Sequence, residues 1–144
     1  MRRHKILVVD DEVPNLRLLR RVLSEEHDII EAQSGAEGLE VLKNEYISLI
    51  ITDQRMPNMT GVQLLEASIG VCPDTIKILL TGYTDVQALV DAINAGSVYK
   101  YIAKPWDADE LKLTVRRALE AFELKESNDR LLRSEEHTSE LQSH

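Results

Sequence analysis

Residues 48–61 read Ser-Leu-Ile-Ile-Thr-Asp-Gln-Arg-Met-Pro-Asn-Met-Thr-Gly. The apolar run 49–51 predicts a short strand that is buried on both faces, and this strand ends at the carboxylate of Asp53. Pro57 and Gly61 then interrupt the extended chain, and a helix is predicted to begin just beyond them. Because open α/β sheets bind ligands at the carboxyl ends of their strands, Asp53 is expected to face such a crevice. The alternative at this point is an acid that caps a helix or stays in a loop.

Apolar runs and segments with helical spacing alternate along the whole chain. This alternation predicts an α/β fold, a doubly wound five-stranded parallel sheet with helices on both faces. The flavodoxin-like strand order 2-1-3-4-5 fits, because the second strand ends without a group comparable to the Asp, Thr and Lys residues that follow the other strands, and it therefore suits an outer position. The predicted strands span residues 6–9, 28–32, 49–51, 76–80 and 98–102, and the predicted helices span residues 14–26, 36–44, 62–69, 85–95 and an extended C-terminal helix from 110 to at least 131.

The totals describe one acidic domain. The 144 residues are 43% hydrophobic and 29% charged, with a formal net charge of −8, and this length is sufficient for a single core. The negative charge argues against a surface that binds nucleic acid or an anionic membrane, and it suits a site that collects a cation. No apolar run approaches the ~20 residues that a membrane-spanning helix requires.

The cysteine and histidine residues carry little signal. The single Cys72 permits no intramolecular disulfide, which predicts a reducing, cytoplasmic location. The histidines share no ligand spacing with one another or with the cysteine. We therefore expect His4 and His27 to face solvent.

Polar residues follow four of the five predicted strands. Asp10 and Asp11 follow the first strand, Asp53 the third, Thr81 the fourth and Lys104 the fifth. Because the carboxyl ends of parallel strands share one edge, these side chains are expected to meet. Three neighbouring carboxylates repel one another unless a cation is bound or a proton is shared, and a set of hard oxygen ligands is typical of Mg²⁺. An Asp carboxylate can also act as a nucleophile and form an aspartyl phosphate, whose oxygens a lysine and a hydroxyl can hold.

This set of motifs resembles the receiver domain of two-component response regulators. The resemblance covers roughly residues 5–124, and the motifs are specific in combination rather than singly. They are Val8-Val9-Asp10-Asp11-Glu12, Asp53-Gln54-Arg55-Met56-Pro57 with Gly61, Leu80-Thr81-Gly82, and Tyr101-Ile102-Ala103-Lys104-Pro105.

The resemblance implies a role for each matching residue at the acidic edge. Asp53 would be the phosphoacceptor, and Lys104 would pair with its phosphate. The ligands of Mg²⁺ would be Asp53 and Asp11 directly, Asp10 largely through water, and the backbone carbonyl of Arg55. The domain would catalyse only its own phosphorylation and dephosphorylation, and its donor would be a phosphohistidine on a sensor histidine kinase or a phosphotransfer protein.

The resemblance also implies a conformational switch. Thr81 would turn its hydroxyl toward the phosphate, and Tyr101 would move inward with it. The surface formed by the fourth helix, the fifth strand and the fifth helix would change as a result, and a homodimer could form on phosphorylation. The family also implies a cis peptide bond between Lys104 and Pro105, a state that is plausible only before proline.

The sequence departs from the family pattern beside the phosphoacceptor. Thr60 stands where an Asp is commonest. Arg55 and Tyr83 occupy positions where side chains are thought to tune dephosphorylation. These differences bear on the lifetime of the phosphoryl group and not on its location.

The C-terminal helix changes character beyond residue 124. Up to that point its apolar residues are spaced as in a helix that packs on a sheet. Beyond it, the apolar spacing is typical of the start of a dimeric coiled coil, and a solvated, fraying helix end is the alternative. Residues 133–144 resemble the translation of a sequencing-adapter oligonucleotide and are excluded from the fold. We therefore expect a receiver domain over residues 1–124, the start of a linker helix over 125–132 and a non-native tail over 133–144. The natural chain would then continue into a C-terminal output domain that is missing here.

Other functions on a related fold are disfavoured by the same motifs. A phosphorylation-independent interaction scaffold would not need the intact set of acids. A hydrolase with an Asp nucleophile usually places it after the first strand with a second Asp two residues on, and Asp10-Asp11-Glu12-Val13 lacks that spacing. Nucleotide binding is disfavoured because neither Gly-x-Gly-x-x-Gly nor the phosphate-loop Gly-Lys-Ser/Thr pattern occurs.

Overall fold

The computed structural model of the chain describes residues 2–82, 86–94 and 96–142. Within these residues, strands and helices alternate along the chain as the apolar pattern predicts. The strands are β1 (Lys5–Val9), β2 (Asp28–Ala32), β3 (Leu49–Asp53), β4 (Ile76–Thr81) and β5 (Lys100–Ala103), and the helices are α1 (Val13–Leu23), α2 (Gly35–Asn44), α3 (Gly61–Ile69), α4 (Val86–Asn94) and α5 (Ala108–Gln142).

The five strands form one parallel sheet in the order β2-β1-β3-β4-β5. This order confirms the predicted flavodoxin-like topology. Several predicted boundaries are wrong by two residues or more. Helix α1 ends at Leu23 rather than at residue 26, β3 ends at Asp53 rather than at residue 51, β5 spans 100–103 rather than 98–102, and α5 begins at Ala108 rather than at residue 110.

The core consists of two apolar layers, one on each face of the sheet. Alternate residues of a strand point to opposite faces. Ile6 and Val8 of β1 accordingly pack in the layer that includes residues of α1 and α5, whereas Leu7 and Val9 pack in the layer that includes residues of α2, α3 and α4. All four side chains are at most 1% exposed. Burial on both faces explains why the strands read as continuous apolar runs.

Polar caps fix the start of the two helices that flank β3 in the chain. The hydroxyl of Ser34 accepts a hydrogen bond from the backbone N–H of Glu37 at the start of α2 (3.1 Å). At the start of α3, the hydroxyl of Thr60 accepts from the backbone N–H of Gln63 (3.2 Å), and the Gln63 side chain accepts from the backbone N–H of Thr60 (2.9 Å). This reciprocal pair is a capping box, which satisfies donors that the helix itself leaves without partners.

The two N-terminal histidines are buried, so the expectation that they face solvent is wrong. His4 and His27 are each 3% exposed. Nδ1 of His4 lies 2.8 Å from Oγ of Ser48, and its Nε2 lies 2.9 Å from a carboxylate oxygen of Glu123 on α5. Nδ1 of His27 accepts a hydrogen bond from the backbone N–H of His4 (3.4 Å). Burial and the neighbouring His4 lower the pKa of His27.

Helix α5 is held against the body of the domain through Glu126. The carboxylate of Glu126 accepts a hydrogen bond from Arg2 (2.6 Å) and another from the hydroxyl of Tyr46 (2.8 Å). The backbone then continues as a helix to Gln142. The domain boundary at residue 124, the coiled coil and the non-native origin of residues 133–144 stay predictions. Among the helices of the described residues, none combines the length and the apolar character needed to cross a membrane.

Candidate functional site

Three carboxylates converge at the carboxyl edge of the sheet. Asp10 and Asp11 follow β1, and Asp53 is the last residue of β3, which pairs directly with β1. Each of the three offers a carboxylate oxygen, and these oxygens all lie within 4.8 Å of one another. Asp10 and Asp53 are buried and Asp11 is exposed, so the cluster is open to solvent on one side. The structure therefore brings together the three acids that the sequence predicts to meet.

The protein holds Asp10 in a position where its negative charge is costly. Burial raises the pKa of the Asp10 carboxyl, and the charge of Asp53 raises it further. Two hydrogen bonds to the carboxylate oppose this shift, one from the backbone N–H of Glu12 (2.9 Å) and one from the side chain of Asn15 (3.1 Å). A cation bound between the acids would favour the charged form in the same way.

Lys104 supplies a positive charge to the same cluster. It follows β5, and its Nζ forms an ion pair with a carboxylate oxygen of Asp53. The backbone N–H of Lys104 donates to the carbonyl of Thr81 (2.9 Å), which continues the pairing between β4 and β5. The peptide bond between Lys104 and Pro105 is cis, as the resemblance implies.

The two residues of the expected switch lie on neighbouring strands. Thr81 is the last residue of β4 and is buried, and its hydroxyl donates to the carbonyl of Gly82 (3.2 Å). Tyr101 lies in the middle of β5 and is 46% exposed, so its side chain is on the outside of the domain in this structure. Tyr83, which the family resemblance places beside the site, lies outside the described residues.

The loop between β3 and α3 is held by a residue that the sequence motifs did not single out for a role. The backbone N–H of Gln54 donates to the carbonyl of Leu80 (3.1 Å), and its side-chain oxygen accepts from the backbone N–H of Val62 (2.9 Å). The carbonyl of Gln54 also accepts from the backbone N–H of Gly61 (3.0 Å). These contacts fix the backbone at Gln54, before the exposed Arg55, and at the start of α3, after it. The carbonyl of Arg55 is the predicted ligand of Mg²⁺.

Two features of this edge could not be assigned from local sequence. Gln54 reads as an ordinary loop residue until its partners are known. Asn15 reads as a residue at the start of a helix, and only its distance of 3.1 Å to the Asp10 carboxylate shows that it supports the acidic cluster. The one available signal for Asn15 is an amide side chain that closely follows the two acids.

The family model of the response regulator receiver domain matches residues 6–116. The chain belongs to this family. The match includes all five strands apart from Lys5, the first residue of β1, and it includes all of the residues described at the carboxyl edge.

Curated relatives and solved structures of the receiver domain agree with this assignment. The hydrogenase transcriptional regulatory protein HoxA of Cupriavidus necator is 40% identical over 126 residues, which are 88% of this chain and 26% of HoxA. A response regulator receiver domain protein from Clostridium thermocellum superposes with a TM-score of 0.79 at 30% identity, covering 84% of this chain and 98% of that one. A chain described as adenylate cyclase from Rhodopirellula baltica superposes with a TM-score of 0.88 at 29% identity, covering 92% of this chain and 98% of that one.

The receiver domain accounts for only part of the longer relatives. The chain spans about a quarter (26%) of the length of the transcriptional regulators HoxA and GlrR that it matches. The family assignment therefore describes a signalling domain of a two-component system, and it leaves the activity of a full-length protein to be proposed.

The acidic edge of this receiver domain fits Mg²⁺ by the chemistry of its donors. The cluster offers carboxylate oxygens, with neither nitrogen nor sulfur among its ligand atoms. Mg²⁺ prefers oxygen ligands and is usually bound by only one or two carboxylates, with water and phosphate completing its shell. The raised pKa of Asp10 is consistent with a site whose charge is balanced when a cation is present.

Proposed function

We propose that this receiver domain accepts a phosphoryl group on Asp53 from a phosphohistidine of a sensor histidine kinase or a phosphotransfer protein. The observation that carries the proposal is the pairing of Asp53 with Lys104 at an edge where Asp10 and Asp11 approach within 4.8 Å. A nucleophile, a cation for the phosphate and ligands for a metal ion are thereby present together.

The chemical step requires little beyond positioning. A carboxylate oxygen of Asp53 forms a new bond to phosphorus while the phosphorus–nitrogen bond of the donor breaks, and the imidazole leaves with the electron pair of that bond. Lys104 already lies against the carboxylate and is placed to move onto the phosphate oxygens. Thr81 is the last residue of the neighbouring strand β4. After a rotation of its side chain, its hydroxyl can donate a hydrogen bond to an oxygen of the phosphoryl group.

Mg²⁺ is the proposed cofactor. Asp11 and Asp53 would ligate the ion directly, Asp10 largely through water, and the carbonyl of Arg55 would complete the protein ligands. When bound, the ion neutralises part of the negative charge on the transferring phosphoryl group. Asn15 and the backbone of Glu12 keep Asp10 oriented by the two hydrogen bonds that its carboxylate accepts.

The phosphorylated state would differ from the present one at Thr81 and Tyr101. Tyr101 is 46% exposed here, and an inward movement of its ring would change the surface shared by α4, β5 and α5. A phosphoryl group can shift this equilibrium only by the contacts that it makes in one state and not in the other. The new contact from the hydroxyl of Thr81 to a phosphate oxygen would be such a difference.

The proposal extends to the protein that contains this domain. HoxA and GlrR are transcriptional regulatory proteins, and about three quarters of their length lies outside the match. We propose that α5 leads through a linker helix into an output domain of that kind, in a cytoplasmic protein that forms a homodimer on phosphorylation. In this proposal residues 133–144 replace the natural continuation of the chain.

The test is phosphorylation by a small acyl phosphate. The intact chain should gain the mass of one phosphoryl group when Mg²⁺ is present and should not gain it when the ion is chelated. Asp53→Asn should abolish the gain. Asp74→Asn should leave it unchanged, since Asp74 is an exposed aspartate that precedes β4 at the opposite end of the sheet.

The outcomes separate the proposal from the scaffold alternative. Undiminished phosphorylation of the Asp53→Asn variant would refute the assignment of the phosphoacceptor. A folded wild-type chain that takes up no phosphoryl group with Mg²⁺ would instead favour a receiver domain that acts as an interaction scaffold.

A further inference from the structure

Lys77 is a buried lysine at the edge of the sheet opposite Asp53. It is the second residue of β4, near the amino end of the strand, and it is 6% exposed. It lies four positions before Thr81, and therefore about 13 Å from the carboxyl edge along the strand. Lysine is almost never fully buried unless a carboxylate pairs with it.

No such carboxylate is found within the part of the chain that the structure describes. There, the lysine ion pairs involve Lys5, Lys43 and Lys104 and leave Lys77 out. Nζ of Lys77 donates instead to two backbone carbonyls, those of Thr75 (2.7 Å) and Cys72 (3.4 Å). Neither carbonyl carries a full negative charge that would hold the amine in its protonated form.

The surroundings also favour the neutral amine. Burial lowers the pKa of Lys77, and the positive charge of Lys125 lowers it further, while Cys72 and Asp74 act in the opposite direction. A neutral, desolvated lysine is a nucleophile because its nitrogen retains a lone pair.

A cavity next to Lys77 provides room for an adduct. The cavity has a volume of about 420 Å³ and lies between the end of α3, the turn that precedes β5 and the side of α5. Its lining includes Lys77 and Lys125, together with polar residues such as Ser97 and Tyr99. Lys125 is exposed, and it lines the same cavity as Lys77. A cationic side chain therefore lies near the position where a negative charge would form on Lys77.

We propose that Lys77 is a site of reversible carbamate formation with carbon dioxide. The lone pair of Nζ forms a bond to the carbon atom, one carbon–oxygen π bond becomes a lone pair on oxygen, and the nitrogen releases one proton to water. The products are a lysine carbamate with one negative charge and a proton. The carbamate faces Lys125 across the cavity and joins β4 to α5 by an attraction that the neutral amine does not make. This chemistry is independent of phosphorylation at the other edge of the sheet.

The experiment uses the intact chain in buffer with ¹³C-bicarbonate, from about pH 7 to about pH 9. A lowered pKa increases the fraction of neutral Lys77 at every pH in this range relative to an ordinary lysine. We expect a carbamate resonance in the ¹³C spectrum besides those of bicarbonate and dissolved carbon dioxide. Alkylation with a trialkyloxonium salt fixes carbamates as esters, and tandem mass spectrometry locates them. The ester should be on Lys77, whereas an ester confined to the terminal amine of Met1 would overturn the proposal.

Variants separate a nucleophilic Lys77 from general labelling of lysines. Lys77→Arg retains a long cationic side chain that cannot form the adduct, and the signal at this position should disappear. Lys43→Arg changes an exposed lysine and should leave the Lys77 ester unchanged, as should Asp53→Asn. Lys125→Gln should lower the carbamate fraction about two- to fivefold, the range expected for one partly exposed charge. An unchanged fraction in that variant would overturn the pairing with Lys125.

Discussion

We predict that Gly61→Ala destabilises the domain and slows phosphorylation of Asp53. Gly61 is the first residue of α3 and lies against the end of β3. A Cβ at this position would overlap the carbonyl oxygen of Asp53 and would lie 2.8 Å from Cδ1 of Leu79. The leucine side chain can rotate away, but the carbonyl belongs to the strand that carries the phosphoacceptor. The end of β3 must therefore move to admit the methyl group.

The magnitude follows from two opposing effects. Forcing an additional methyl group into a packed region costs about 1–3 kcal/mol. Gly61 is not among the described glycines with a positive φ, so alanine fits its backbone conformation. Alanine also restricts the unfolded chain, which adds about 0.4–1 kcal/mol to the free energy of unfolding. Subtracting the second effect from the first gives a net loss of unfolding free energy of up to about 2.6 kcal/mol. The middle of the two ranges gives about 1.3 kcal/mol, or about 3–8 °C in the thermal midpoint of a domain of this size.

Gly70→Ala is the matched control. Gly70 caps the other end of the same helix with φ −73°, and the nearest atom to a Cβ there is 4.0 Å away. Urea and thermal unfolding of both variants, with the rate of phosphorylation by an acyl phosphate, should show losses for Gly61→Ala alone. If Gly61→Ala matches the wild type in stability and in rate, the close approach of α3 does not constrain the end of β3, and the reasoning fails.

Three further predictions concern other parts of the domain. Burial lowers the pKa of His27 from its ordinary 6.5, so below that pH the unfolded chain binds more protons than the native one and stability falls as pH falls. In urea unfolding, His27→Gln should reduce the fall in unfolding free energy between about pH 7 and about pH 5.5. An unchanged dependence of the unfolding free energy on pH would show that His27 does not cause this fall. Thr60→Ala should cost about 1 kcal/mol by removing the cap of α3, and Thr60→Ser should recover most of it. Glu126→Gln should weaken the contact with Arg2 and accelerate hydrogen exchange in α5 beyond residue 122, whereas equal protection in both proteins would show that this contact does not hold the helix.

The sheet and its acidic edge were predictable because their signals are local. A continuous apolar run such as residues 6–9 identifies a strand buried on both faces, and strict alternation with helices restricts the topology to parallel sheets. Once the strands are parallel, their carboxyl ends must share an edge. The meeting of Asp10, Asp53 and Lys104 then follows from the order of the strands.

Contacts between distant parts of the chain were not predictable in this way. His4 is buried because Ser48 and Glu123 lie against it, and these partners are 44 and 119 residues away in sequence. Lys77 similarly lines a cavity with residues 96–99 and with Lys125 of α5, none of which is its neighbour in sequence. The end of α1 at Leu23 was missed because the polar residues that follow it are compatible with a further helical turn.

The outer edge of β5 has a consequence for how copies of the domain meet. β5 is the last strand of the sheet, and an uncovered edge strand offers unpaired backbone groups to any similar strand of another molecule. This strand has only four residues, begins with the exposed Lys100 and is followed closely by Pro105, which has no N–H to donate. Crowded copies thus find little backbone at this edge with which to extend the sheet from one molecule to the next, and contacts there are left to side chains.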